Sequence, residues 1–130
     1  MRMHFINKIV KFDVLQKTMK IYHNPRCSKS RAALTLLQQT GGVLEIQEYL
    51  KNAPDKNELI EVLKKLNMKP HEIIRKGEVL YKEKYKGSEF TDEEWINIMV
   101  ENPVLIERPI VIKGDKAIIA RPPERINELL

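Results

Sequence analysis

Apolar positions along the chain come in short bursts whose spacing alternates between strand and helix periods. Lys20-Ile21-Tyr22-His23 is a strand-sized burst closed by Asn24-Pro25. Ala33, Leu34 and Leu37 then recur at helical spacing, and Gly41-Gly42 supplies a stop. Val43-Leu44-Glu45-Ile46 reads as a second strand. A strand, a helix and a strand within this span make a βαβ unit, whose strands run parallel.

The middle of the chain is helical in pattern. Asp55 and Glu58 have capping-box spacing, and Leu59, Val62, Leu63 and Leu66 form an apolar stripe that Lys69-Pro70 breaks. Residues 71–74 fit one further short helical turn. Thr91-Asp92-Glu93-Glu94 is a full capping box, opening a helix with Trp95, Ile98 and Met99 inward and Asn102-Pro103 at its end. Val104-Leu105-Ile106 and Ile110-Val111-Ile112 read as strands on either side of Arg108-Pro109. Lys113-Gly114-Asp115-Lys116 turns into a further strand, Ala117 to Ala120, and Pro122-Pro123 begins a last helix. The pattern predicts an α/β fold in the order βαβ, helical insert, ββα, with a central mixed sheet flanked by helices.

Length and composition narrow this further. The 130 residues fit one domain, long enough to bury a core without staples. With 42% hydrophobic and 32% charged residues the chain reads as globular rather than disordered. The apolar runs are only a few residues long, so no membrane span is expected. The formal charge of +5 raises a nucleic-acid reading, but its distribution argues against one. Residues 1–18 carry a net +3, from Arg2, Lys8, Lys11 and Lys17 against Asp13, while residues 19–130 carry +2. Phe5 to Val10 is interrupted by polar residues and no small-residue cleavage site follows, so it does not read as a targeting peptide. Residues 1–18 are read as an extension outside the fold, with Met19 as an alternative start, and residues 19–130 as the domain.

Cys27 is the single cysteine. It excludes an intrachain disulfide and a cysteine zinc cluster, and it points to a reducing cytoplasm. His4, His23 and His71 lack ligand-like spacing, so no metal is expected. A lone cysteine is often a small buried hydrophobe. Cys27, however, lies between strand and helix in His23-Asn24-Pro25-Arg26-Cys27-Ser28-Lys29-Ser30-Arg31, with polar and basic flanks. Unpaired N–H groups and the dipole at a helix start favour a thiolate, as do nearby cations. The expected outcome is a nucleophilic Cys27 with a lowered pKa, able to receive an oxyanion at the same N–H groups. His23 is either a base or cation beside the sulfur, or a packing residue. Ser30 is placed to hydrogen-bond the thiolate from the first turn, and Arg31 adds charge. Ser28 is expected to be the N-cap.

The segment His23-Asn24-Pro25-x-Cys27-x-x-Ser30-Arg31 resembles the nucleophile loop of glutaredoxin-coupled arsenate reductases of the ArsC/Spx type. Arg75, Asn102-Pro103-x-Leu105-x-Glu107-Arg108-Pro109-Ile110 and Arg121-Pro122-Pro123-Glu124 resemble that family's later motifs. The resemblance runs through residues 19–130 in the expected order and does not include residues 1–18. It implies a thioredoxin-like fold with a helical insert. It also implies that Cys27 attacks arsenate, or a similar small oxyanion, to form an arsenic adduct. Arg75, Arg108 and Arg121 would handle the anion, which permanently charged planar guanidiniums suit. Pro109 would be the cis-proline facing the cysteine.

With no second cysteine to resolve the adduct, the reducing thiol must come from outside: glutathione with glutaredoxin, or another small thiol. No bound cofactor, nucleic acid or membrane is expected, and the protein is expected to be a monomer. Two other readings stand beside this one. One is an Spx-like regulatory module that binds RNA polymerase. The other is a thiol-dependent oxidoreductase on another substrate. One departure bears on the substrate: Ser28-Lys29 stands where many of these reductases have Gly-Thr, which alters the loop that meets the anion.

Overall fold

The computed structural model describes residues 18–130. Of the extension expected at residues 1–18, all but Thr18 lies outside the described residues. The elements are β1 (Met19–Tyr22), α1 (Ser28–Gln39), β2 (Leu44–Gln47), α2 (Lys56–Leu66), α3 (Asp92–Glu101), β3 (Ile110–Lys113) and β4 (Lys116–Ile119). Short 3-10 turns at Pro70–Ile73 and Pro103–Leu105, a π-helical turn at Tyr81–Tyr85 and a C-terminal 3-10 helix at Pro123–Leu129 complete the chain.

The sheet has the order β2-β1-β3-β4. β1 pairs with β2 in parallel, and β3 pairs antiparallel with both β1 and β4. Apolar side chains alternate along these strands and divide between two cores, as the strand period of two requires. Met19, Ile21, Val111 and Ile118 pack with Ala33 and Leu37 of α1 and with Ile126 and Leu129. Tyr22, Ile110, Ile112 and Ala117 pack on the other face with Leu59, Val62 and Leu63 of α2 and with Trp95, Ile96 and Met99 of α3. Helices thus cover both faces. β2 is an edge strand, and it leaves Ile46 exposed.

Local chemistry accounts for the helix starts. The Asp55 side chain accepts a hydrogen bond from the Glu58 N–H (2.8 Å), capping α2. Thr91 and Glu94 form a reciprocal capping box at the start of α3. α2 ends with Asn67 in the left-handed region (φ 54°), a conformation asparagine tolerates.

The structure corrects several expectations. Residues 104–106 are not a strand: Pro103, which has no N–H to give a sheet, opens a 3-10 turn, and Ile106 makes only an isolated bridge to Ile74. The terminal hairpin is β3–β4 alone. The last helix is 3-10 and starts at Pro123. The N-cap of α1 is Cys27 rather than Ser28, because the chain stays extended through Cys27 (φ −95°, ψ 121°) and turns helical only at Ser28.

This topology gathers one set of loops at one end of the sheet. Tyr22 lies opposite Ile110, and Ile110 opposite Ile119. The exit of β1 toward Cys27, the entry to β3 at Arg108-Pro109 and the exit of β4 at Arg121 therefore meet there. β2 runs parallel to β1, so Glu48 and Tyr49 emerge at the same end.

Two substitutions separate the sources of stability. Leu37→Ala, at a fully buried position of α1, is expected to cost about 3 kcal/mol. Thr91→Ala, which removes the α3 cap, is expected to cost about 1 kcal/mol. Urea denaturation followed by circular dichroism measures both, and equal losses would contradict this assignment.

Candidate active site

The loop that carries Cys27 is held by its own polar groups. The Asn24 carbonyl accepts from the Cys27 N–H (3.0 Å), and Asn24 Oδ1 accepts from the Arg26 N–H (3.0 Å). Ser30 is fully buried, and its Oγ accepts from the Asn24 N–H (3.0 Å) and lies 2.6 Å from His23 Nδ1. That hydrogen bond ties the His23 ring to the first turn of α1. Burial lowers the His23 pKa; Glu48 opposes this and the Arg31 charge adds to it. Arg31 Nη1 donates to the Pro25 carbonyl (2.9 Å), closing the loop from the helix side.

Cys27 is partly exposed at the start of α1. Burial pushes its thiol pKa up, but other groups outweigh that and hold it below the ordinary value. The leading ones are a hydrogen bond from Arg108, the backbone N–H groups of Ser30 and Lys29, and the Arg108 charge. Cys27 is the N-cap residue of α1, so the first N–H groups of the helix lie on the side of its sulfur. The division of labour differs from the sequence expectation. Ser30 reaches the sulfur through its backbone, while its hydroxyl locks His23. Arg31 spends a donor on Pro25. The side chain on the sulfur is Arg108, which had been expected only to bind anions.

The three arginines singled out in the sequence converge on one segment. Residues 73–75 lie against residues 105–107 through Arg75 N–H to Leu105 O (2.8 Å) and Glu107 N–H to Ile73 O (2.8 Å). This brings Arg75 beside Arg108, and both pair with Glu78 Oε1, at 3.6 Å from Arg75 Nε and 3.8 Å from Arg108 Nη1. Arg121 Nη1 lies 3.3 Å from Glu107 Oε1 and 3.5 Å from the Arg108 carbonyl. The Arg108–Pro109 peptide bond is cis, as the family resemblance implied for Pro109, and Arg121–Pro122 is cis as well.

Three residues of this site were not among the sequence candidates. Glu78 and Glu107 supply the carboxylates that order the arginines. Tyr49 is almost fully buried and packs edge-on against Tyr22, with ring centroids 6.5 Å apart. Burial pushes its hydroxyl pKa up to about 12, with Arg108 opposing and the Cys27 charge adding. Its hydroxyl thus stays protonated near the Cys27 sulfur. Among the described residues, Arg75 Nη1, Arg108 Nε and the Tyr49 hydroxyl are buried without a hydrogen-bond partner. Buried donors are rarely left so, and these point to a ligand rich in acceptor oxygens. No group of His, Cys, Asp and Glu able to hold a metal occurs among the described residues, and no helix there is long and apolar enough to cross a membrane.

The contact between Arg108 and Cys27 predicts a titration. Arg108→Ala is expected to move the thiol midpoint to higher pH and to slow alkylation near neutrality severalfold, whereas Lys29→Ala leaves the midpoint nearly in place. The pH dependence of the iodoacetamide rate at Cys27 measures both, and an unmoved midpoint in Arg108→Ala would contradict the geometry.

Comparison with known proteins gives the family of the chain. Residues 22–129 match the model of the ArsC family. The chain is 46% identical over 118 residues to the uncharacterized protein YfgD of Escherichia coli strain K12, covering 89% of this chain and 99% of that one. It is 40% identical over 114 residues to an arsenate reductase of Neisseria meningitidis serogroup B, covering 86% and 97%. The solved structure of an arsenate reductase from Vibrio cholerae superposes with a TM-score of 0.83 at 40% identity, covering 88% of this chain and 98% of that one. The mixed sheet covered on both faces is thus the thioredoxin-like arrangement expected from the sequence. With the match running from the end of β1 almost to the last residue, the chain belongs to the ArsC family.

Proposed function

We propose that this protein is an arsenate reductase in which Cys27 is the nucleophile and an external thiol completes the reduction. The observation that carries this reading is the joint geometry of Arg108. Its guanidinium favours the Cys27 thiolate while its Nε, and Nη1 of the neighbouring Arg75, remain buried donors with no protein acceptor. A thiolate and free guanidinium donors side by side suit an oxyanion that must be both bound and attacked. The arsenate reductases to which the chain is similar support the choice of arsenate.

In this reading Arg75, Arg108 and Arg121 draw the oxyanion to the helix start, where the Lys29 and Ser30 N–H groups receive one of its oxygens. The Cys27 sulfur bonds to arsenic and one arsenate oxygen leaves as water. A thiolate from glutathione then attacks the Cys27 sulfur. The sulfur–arsenic electron pair passes to arsenic, which departs as arsenite, and Cys27 is left in a mixed disulfide. A second thiol, delivered by glutaredoxin or by glutathione itself, reduces that disulfide and returns the thiolate. Two thiols are oxidised to one disulfide for each arsenate reduced, and the cycle needs only the single cysteine this chain has. Such a cycle belongs in a reducing cytoplasm. The comparisons do not support the polymerase-binding alternative.

The test is arsenate-dependent NADPH oxidation coupled through glutathione, glutathione reductase and glutaredoxin. Wild type is expected to turn over. Cys27→Ser is expected to be inactive, and Arg108→Lys to lose at least about tenfold in kcat/KM, since a point charge replaces a planar fork. Normal turnover by Cys27→Ser, or none by wild type, would reject the reading.

A further inference from the structure

Glu78 follows Arg75 by three residues, and the fold turns that spacing into a three-body contact. Its Oε1 lies 3.6 Å from Arg75 Nε and 3.8 Å from Arg108 Nη1, so one carboxylate bridges guanidiniums from two separate parts of the chain. The side chains are only 19%, 14% and 25% exposed for Arg75, Arg108 and Glu78, so solvent screens them weakly. Glu107 pairs with Arg121 at 3.3 Å, nearer the solvent. The cations Arg75, Arg108 and Arg121 are thus offset by Glu78, Glu107 and the Cys27 thiolate. A site built solely to maximise anion attraction would not carry these carboxylates.

We propose that Glu78 sets the charge this oxyanion site accepts, favouring singly over doubly charged tetrahedral anions by lowering the positive potential of the Arg75–Arg108 pair. The inference rests on the oxyanion reading above and deepens it. Glu78 Oε1 sits at ion-pair distance from both guanidiniums, while Arg75 Nη1 and Arg108 Nε are buried donors with no protein partner and stay open to substrate. Its charge acts on whatever anion those donors hold. Coulomb energy scales with the product of charges, so removing Glu78 strengthens a dianion more than a monoanion of the same shape. A Glu78 that merely braced the arginines would give the opposite sign, because loosening the donors weakens every anion.

The lone cysteine makes the test direct. Iodoacetamide is uncharged, and an anion seated at Cys27 slows alkylation. Protection constants are measured for sulfate and for perchlorate at one pH, with ionic strength held by chloride. The proteins are wild type, Glu78→Gln, Glu78→Ala and Glu78→Asp, each checked for native circular dichroism. Both charge-removing variants are expected to bind sulfate about fivefold tighter or more, and perchlorate by a smaller factor. Glu78→Asp is expected to stay near wild type. Unchanged or weaker sulfate binding in Glu78→Gln and Glu78→Ala, or equal tightening for both anions, would overturn the proposal and leave the oxyanion reading standing. Absence of sulfate protection in all four proteins would overturn both.

Discussion

The site depends on Arg108 facing the Cys27 sulfur. A thiol at a partly buried helix start has burial working against its ionisation, and only strong compensation makes it a nucleophile. Arg108 supplies the largest part of that compensation, by hydrogen bond and by charge, with the N–H groups of α1 adding to it. The remaining architecture holds these two groups together. The pairing of Tyr22 with Ile110 aligns the exit of β1 with the entry of β3, and both cores fix that alignment by gripping alternate side chains of the same strands.

Around this contact the polar groups fall into two sets with different tasks. His23, Asn24, Ser30 and Arg31 spend their hydrogen bonds on one another and on the loop backbone, so the cysteine is held still. Arg75, Arg108 and Arg121 are balanced by Glu78 and Glu107, yet two of their buried N–H groups remain free. The loop is thus closed on itself, while the arginine cluster is open toward a ligand. That contrast, rather than net charge, is what supports reading the cluster as a binding site. The +5 of the whole chain says little about the site, since much of it lies in residues 1–18.

Much of this was legible in the sequence, and for physical reasons. The capping residues Asp55 and Thr91, the stripe from Leu59 to Leu63 and the position of Cys27 between strand and helix are local signals, and local physics decides them. The three arginines came from motif resemblance, and the structure brings them to one segment. What sequence could not show was how each donor is spent. Ser30 and Arg31 lie within four residues of the sulfur in sequence, yet their side chains serve His23 and Pro25. Arg108 is 81 residues away and acts on Cys27 directly, because sheet register places it there. Glu78 and Tyr49 carry no local signal that marks them as part of a site. Only the antiparallel contact of residues 73–75 with 105–107, and the parallel pairing of β2 with β1, gave them neighbours. The misread strand at residues 104–106 has a local origin instead: its β-branched and apolar residues favour extension, and Pro103 overrides them with a turn.

The central claim is that Cys27 forms a bond to the substrate and is released by an outside thiol. Intact-protein mass spectrometry after exposure to arsenate and a single equivalent of glutathione, so that no second thiol remains to reduce the mixed disulfide, tests it most directly. The account predicts an arsenate-dependent mass gain of one glutathionyl group, carried on Cys27 and absent from Cys27→Ser. A protein that stays unmodified, or gains the same mass without arsenate, would contradict it.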